Sequence, residues 1–149
     1  MIATSPPAQQ QKWDTLSFVS TLYLQPVLEL LLKDVPPPWH AEVRLGLQEA
    51  LVNAAKHGNG LDPAKCISVR YTASASHLWW IIADQGSGFS YPCGCDEAKD
   101  KNCASHPGEC GRGLYILYQV FDQVSWYNDG RELHLSKVVR QPRRLPLIH

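Results

Sequence analysis

The segment HLWWIIAD (77–84) constrains this chain more than any other. Six consecutive residues, Leu78 to Ala83, are apolar, and a carboxylate, Asp84, follows at once. A strand that does not alternate apolar with polar residues is covered on both faces, so a central strand is predicted here. DQGSGF (84–89) follows, with Gly86 and Gly88 allowing a ligand to approach the backbone closely. CISVRYTAS (66–74) lies just upstream and reads as the hairpin partner.

The remaining segments complete the layout. KWDTLSFVST (12–21) reads as a strand. LQPVLELLLKDV (24–35) has leucines at helical spacing and a proline, Pro26, in its first turn, where it is tolerated. PPPW (36–39) breaks the chain, and HAEVRLGLQEALVNAAKHGNG (40–60) reads as a long helix. Val43, Leu47, Leu51 and Ala54 form its apolar stripe, and Gly58 and Gly60 mark its end. GRGLYILYQVFD (111–122) is predicted as a helix opened by glycines, and QVSWYND with RELHLSKVV as a hairpin turning at Asp129-Gly130. Strands come in runs rather than alternating with helices. That order predicts an α+β two-layer sandwich, with a mixed, mainly antiparallel sheet and helices on one face, and argues against a Rossmann fold. Of Trp79 and Trp80, which alternate across the sheet, one is predicted in the core and the other beneath the helices. Cys66 is expected as a small core residue.

The 149 residues suit one domain, with 12–139 as the folded unit and 1–11 as a frayed start. Fourteen Lys and Arg balance fourteen Asp and Glu, which gives no global electrostatic case for binding nucleic acid or an anionic membrane. Arg140, Arg143 and Arg144 form a basic tail (140–149), read as a solvated end. No apolar run approaches the ~20 residues of a membrane span. MIATSPPAQQQKW lacks the pattern of a signal peptide, so a cytoplasmic protein is expected.

Three short motifs carry chemistry. In EALVNAAKHGN (49–59), Glu49 and Asn53 are four apart and share a helix face. A carboxylate there can act as a general base, and an amide oxygen is a hard ligand suited to magnesium. Asp84, at a strand end, can accept a hydrogen bond from an exocyclic amine such as that of adenine. In GECGRGL (108–114), glycines at a helix start offer backbone N–H groups to an anion, and Arg112 adds a charge. Each motif alone is common by chance, but their joint order is specific.

That order resembles the GHKL superfamily of ATP-binding domains, which share an α/β sandwich called the Bergerat or histidine-kinase-like ATPase fold. The resemblance spans roughly 12–139. EALVNAAKHGN, LDPAK, DQGSGF, GRGLYIL and WYNDGRELHLSK resemble in particular the anti-sigma-factor serine kinases. The resemblance implies Glu49 as general base toward a serine hydroxyl, and Asn53 as magnesium ligand. It implies Asp84 at the adenine amine, Gly86, Gly88 and Phe89 around base and sugar, and Gly111, Arg112, Gly113 and Leu114 around the phosphates of ATP. It also implies a sigma factor and a STAS-type anti-anti-sigma substrate as partners, and a homodimer. With no phospho-acceptor helix before this region and no transducer domain after it, a complete sensor kinase or a gyrase-like machine is not expected. Two alternatives stay open: a nucleotide-gated partner-binding switch without useful phosphoryl transfer, and an ATP-binding domain serving a histidine phosphotransfer protein in trans.

Between the glycine motifs, where the resemblance implies an ATP lid (90–110), the chain reads C-x-C-x7-C-x2-H-x3-C. Cys93, Cys95, Cys103, His106 and Cys110 fit three readings. One is zinc held by four thiolates, or by three and His106, with an iron–sulfur cluster as a variant. Another is a redox switch that locks or frees the lid. The last is reduced thiols on a polar loop.

Overall fold

The structure is a computed structural model and describes residues 11–88 and 109–139. Its strands are β1 (Asp14–Val19), β2 (Cys66–Ala73), β3 (His77–Ala83), β4 (Gln123–Tyr127) and β5 (Glu132–Val138). Its α-helices are α1 (Gln25–Leu31), α2 (His40–Val52) and α3 (Glu109–Val120). A 3-10 turn at Pro37–Trp39 precedes α2, and a π-helical turn at Asn53–Gly58 continues it.

β3 is the central strand of a five-stranded sheet ordered β1-β2-β3-β5-β4. Among the described residues every pairing is antiparallel, in keeping with the mainly antiparallel sheet expected from the sequence. Leu78, Trp80 and Ile82 of β3 face the helices and join one core with Leu47, Leu51, Ile67, Val69, Leu117, Phe121 and Leu135. Trp80 meets the Phe121 ring edge-on, with centroids 5.6 Å apart.

Among the described residues no helix covers the opposite sheet face, yet Ile81 there is only 8% exposed. Neighbouring aromatic side chains cover it. Trp79 stacks on His77 at 5.2 Å, and a groove is lined by Trp13, Trp79, Tyr127 and His134. Trp79 therefore does not lie beneath the helices as expected, because strand pleating sends it away from Trp80. Cys66 is also corrected: it opens β2 half-buried, on the face opposite Ile67 and Val69, and is not a core residue.

The long helix predicted to 60 changes character at Asn53. Asn59 N–H bonds to the Ala54 carbonyl at 2.8 Å, a five-residue closure typical of π turns, which recur at functional sites. α3 starts at Glu109, so Gly111 and Gly113 sit inside its first turns rather than ahead of them.

α2 and α3 cross closely because two positions lack a side chain. A Cβ on Gly46 would lie 2.6 Å from Cε2 of Phe121, and one on Gly113 would lie 3.3 Å from Oε2 of Glu49. Lys137 ties the sheet to this pair. Its Nζ donates to the Val120 carbonyl at 2.7 Å and to Oε1 of Glu42 at 3.0 Å, and lies 4.7 Å from the Trp39 ring centroid.

Gly46→Ala is expected to destabilise the fold by about 1–3 kcal/mol through overpacking against Phe121 and Val120. Leu45→Ala, one residue earlier but exposed, should change stability by no more than about 0.5 kcal/mol. Urea unfolding of the two variants checks the contrast.

Candidate functional site

A cleft opens between α2 and the sheet. Ala50, Asn53 and Ala54 form one wall, Ile82, Leu133 and Trp126 the other, and Asp84 and Gly130 close one end. The walls of the cleft are mainly apolar, and Asn53 and Asp84 bring polar groups to it.

Asp84 is delivered by the end of β3. Its N–H donates to the Arg131 carbonyl at 2.9 Å, and its Oδ1 accepts from Gly86 N–H at 2.9 Å. Burial pushes its carboxyl above the ordinary aspartate range, while the Gly86 hydrogen bond and the charges of Arg131 and Lys65 pull the other way. Two backbone segments meet beside it. A Cβ on Gly58 would collide with the Asp84 carboxylate, and one on Gly86 with the Gly58 carbonyl. The end of the π turn and the 84–88 turn therefore pack backbone to backbone.

Asn59 fixes this junction. It is 2% exposed. Its Nδ2 donates to Oγ of Ser20 at 2.8 Å and to the Cys66 carbonyl at 3.0 Å, and its Oδ1 accepts from Gln85 N–H at 2.7 Å. Gln85 returns the link, its Oε1 accepting from Cys66 N–H at 2.7 Å. On the other side, Arg131 donates from Nε to the Gly86 carbonyl at 2.8 Å and from Nη2 to the Ser87 carbonyl at 3.0 Å. Gly88 has φ +85°, and a Cβ there would lie 2.6 Å from the Asp129 carbonyl oxygen.

Glu49 and Asn53 lie side by side, one turn apart on the motif helix. The Cβ position of Gly113 is 3.3 Å from Oε2 of Glu49 and 3.5 Å from Nδ2 of Asn53. The pair thus faces the N-terminal part of α3, where backbone N–H groups and the helix dipole favour an anion. Asn53 and Asp84 border the same cleft, so the structure brings the helix motif and the first glycine motif together. Leu114 is half-buried and packs against the core.

Other expected residues lie outside this description. Phe89, Cys93, Cys95, Cys103 and His106 fall beyond the described residues, as do the side chains of Cys110 and Arg112. Gly111 is part of the α3 backbone. Among the described residues no group of three or more His, Cys, Asp or Glu could hold a metal ion. Asn59, Arg131 and Trp126 are site residues that sequence reasoning missed. An asparagine in HGNG reads as a helix stop, and an arginine after Asp-Gly reads as a hairpin flank.

Residues 25–137 match the histidine kinase-like ATPase domain family. The chain belongs to that family. Its five-stranded antiparallel sheet under a helix layer is the α+β fold that the motif order implies. The chain is also similar to the serine-protein kinase RsbW of Bacillus licheniformis, 26% identical over 106 residues. The matched region covers 68% of this chain and 66% of that protein's length.

The raised Asp84 carboxyl fixes the sign of a pH effect. Ionised Asp84 costs folding stability above its raised pKa, and the cost vanishes below the ordinary aspartate value. Asp84→Asn is therefore expected to be more stable than the wild type at pH 7. The gap should close as the pH falls through the raised pKa. Thermal melts across pH 3–8 check this, and a gap that widens toward low pH would contradict it.

Proposed function

We propose that this chain is an ATP-dependent protein serine kinase that acts as an anti-sigma factor. It would phosphorylate a STAS-type anti-anti-sigma partner and sequester a sigma factor. The observation that carries the reading is the joint placement of Glu49, Asn53 and Gly113, with Asp84 on the same cleft as Asn53. Family membership and the similarity to a serine-protein kinase support it.

The residues fit an adenine nucleotide with magnesium. Asp84 is a half-buried acceptor at the end of an apolar cleft, suited to an exocyclic amine. Gly86, Gly88 and Phe89 would border base and sugar. Asn53 would hold the magnesium ion through its side-chain oxygen. Gly111, Arg112, Gly113 and Leu114 would lie around the phosphates, with the free N–H groups at the start of α3 and the Arg112 charge facing them. The Leu114 side chain serves the core. ATP with magnesium supplies the phosphoryl group and neutralises its charge. Glu49 would take the proton from the attacking serine hydroxyl. Phosphoryl transfer of this kind depends mainly on positioning and charge neutralisation, so one base with backbone donors suffices.

The protein would be a cytoplasmic homodimer without direct contact to nucleic acid or membrane. Among the described residues no helix is long and apolar enough to cross a membrane. Zinc at four of Cys93, Cys95, Cys103, His106 and Cys110 is proposed from their spacing alone.

The test is phosphoryl transfer from labelled ATP to a serine-bearing STAS partner. Glu49→Gln should lower kcat by about 10²–10⁴-fold, with ATP affinity retained. The label should survive acid, as phosphoserine does. An acid-labile label would point to histidine transfer. Nucleotide-dependent partner binding with no transfer would point to a switch.

A further inference from the structure

We infer that Arg131 is a positioning residue that sets base selectivity, by locking the 84–88 turn against the tip of the β4–β5 hairpin. The inference rests on the nucleotide reading of the cleft and extends it to a residue outside the three motifs.

Arg131 links to that turn in three places. Its main-chain carbonyl accepts from Asp84 N–H at 2.9 Å. Its Nε and Nη2 donate to two consecutive carbonyls, Gly86 at 2.8 Å and Ser87 at 3.0 Å. A planar guanidinium can span two such acceptors, whereas an ammonium offers a point charge. The Arg131 charge also favours the ionised form of the Asp84 carboxyl.

The hairpin tip that carries Arg131 is itself a fixed template. Asn128, Asp129 and Gly130 all have left-handed φ, at 53°, 56° and 86°. Gly130 N–H closes on the Tyr127 carbonyl and Arg131 N–H on the Asn128 carbonyl, both at 3.1 Å. Gly88 fits beneath the Asp129 carbonyl, where no Cβ could be placed without a clash. Gly130 lines the same cleft as Asp84. The turn is thus held at its start by the sheet ladder, in its middle by the guanidinium and at its end by the hairpin.

A carboxylate discriminates an amine from a carbonyl only when its acceptor direction is fixed. Gly86 N–H holds Oδ1 of Asp84, and Arg131 holds the Gly86 carbonyl. Without the guanidinium the Gly86 and Ser87 carbonyls lose their donors, and the turn that presents the Gly86 N–H to Asp84 is held less firmly.

The test compares ATP with inosine triphosphate, which carries a carbonyl in place of the adenine amine. Dissociation constants are measured by calorimetry on the full chain, for the wild type, Arg131→Ala and Arg131→Lys. The wild type should prefer ATP. Arg131→Ala should reduce that preference by about tenfold, the scale of one charge-assisted hydrogen bond, with little change for inosine triphosphate. Arg131→Lys keeps the charge but not the fork, so its preference should fall part-way. It decides the matter if the alanine variant does not fold. Equal weakening of both nucleotides, or a preference in the lysine variant equal to that of the wild type, would overturn the inference. A wild type that does not distinguish the two nucleotides would overturn the base reading of the cleft, and this inference with it.

Discussion

The side-chain amide of Asn59 is the point on which the site depends. It is almost fully buried, and both its ends are used: two donated hydrogen bonds and one accepted. Those bonds join the chain leaving β1, the start of β2 and the turn after β3 to the end of the motif helix. A buried polar group left unsatisfied costs about 1–3 kcal/mol. Loss of the Asn59 amide would take these partners from the Ser20 hydroxyl, the Cys66 carbonyl and the Gln85 N–H at once. The π turn that precedes Asn59 belongs to the same solution. It widens the last helical turn so that Asn59 points inward and Gly58 meets Asp84.

This junction carries an electrostatic cost. Asp84 sits half-buried with its carboxyl shifted upward by desolvation, and a single backbone N–H plus two flanking cations offset only part of that. A group of this kind is poorly suited to stability alone, and perturbed carboxylates in clefts tend to mark functional sites. The walls beside it are apolar, and Asn53 of the Glu49–Asn53 pair borders the same cleft. Close packing of α2 on α3 through Gly46 and Gly113 brings that pair to the first turns of α3. A helix crossing without side chains at those two positions is what places α3 beside the residues that border the Asp84 cleft.

Much of this was legible in the sequence, for physical reasons. Six unbroken apolar residues before Asp84 required a covered central strand, and the 3.6-residue stripe of Val43, Leu47, Leu51 and Ala54 required a helix upon it. Strands in runs required a layered α+β arrangement. Other features were hidden because they depend on register or on tertiary partners. Cys66 shares a strand with Ile67, and a one-residue offset decides which of them meets the core. One of Trp79 and Trp80 was expected beneath the helices, but Trp79 lies on the far side of β3 and lines a groove with Trp13 and Tyr127. The start of α3 was misplaced by two residues because Glu109 and Cys110 carry no apolar periodicity. Asn59 and Arg131 were missed for a common reason. Each acts on backbone atoms far away in sequence, 26 residues for Asn59 to Gln85 and 45 for Arg131 to Gly86, and backbone partners leave no residue-type signature.

The cleft between α2 and β3 is proposed to receive an adenine nucleotide, base toward Asp84 and phosphates toward α3. The most direct measurement is a crystal structure of the protein with ADP and magnesium. The adenine amine is expected within hydrogen-bonding distance of the Asp84 carboxylate, and the phosphates beside Asn53 and the first turn of α3. ADP seated elsewhere, for example on the aromatic groove of Trp13 and Trp79 across the sheet, would contradict it.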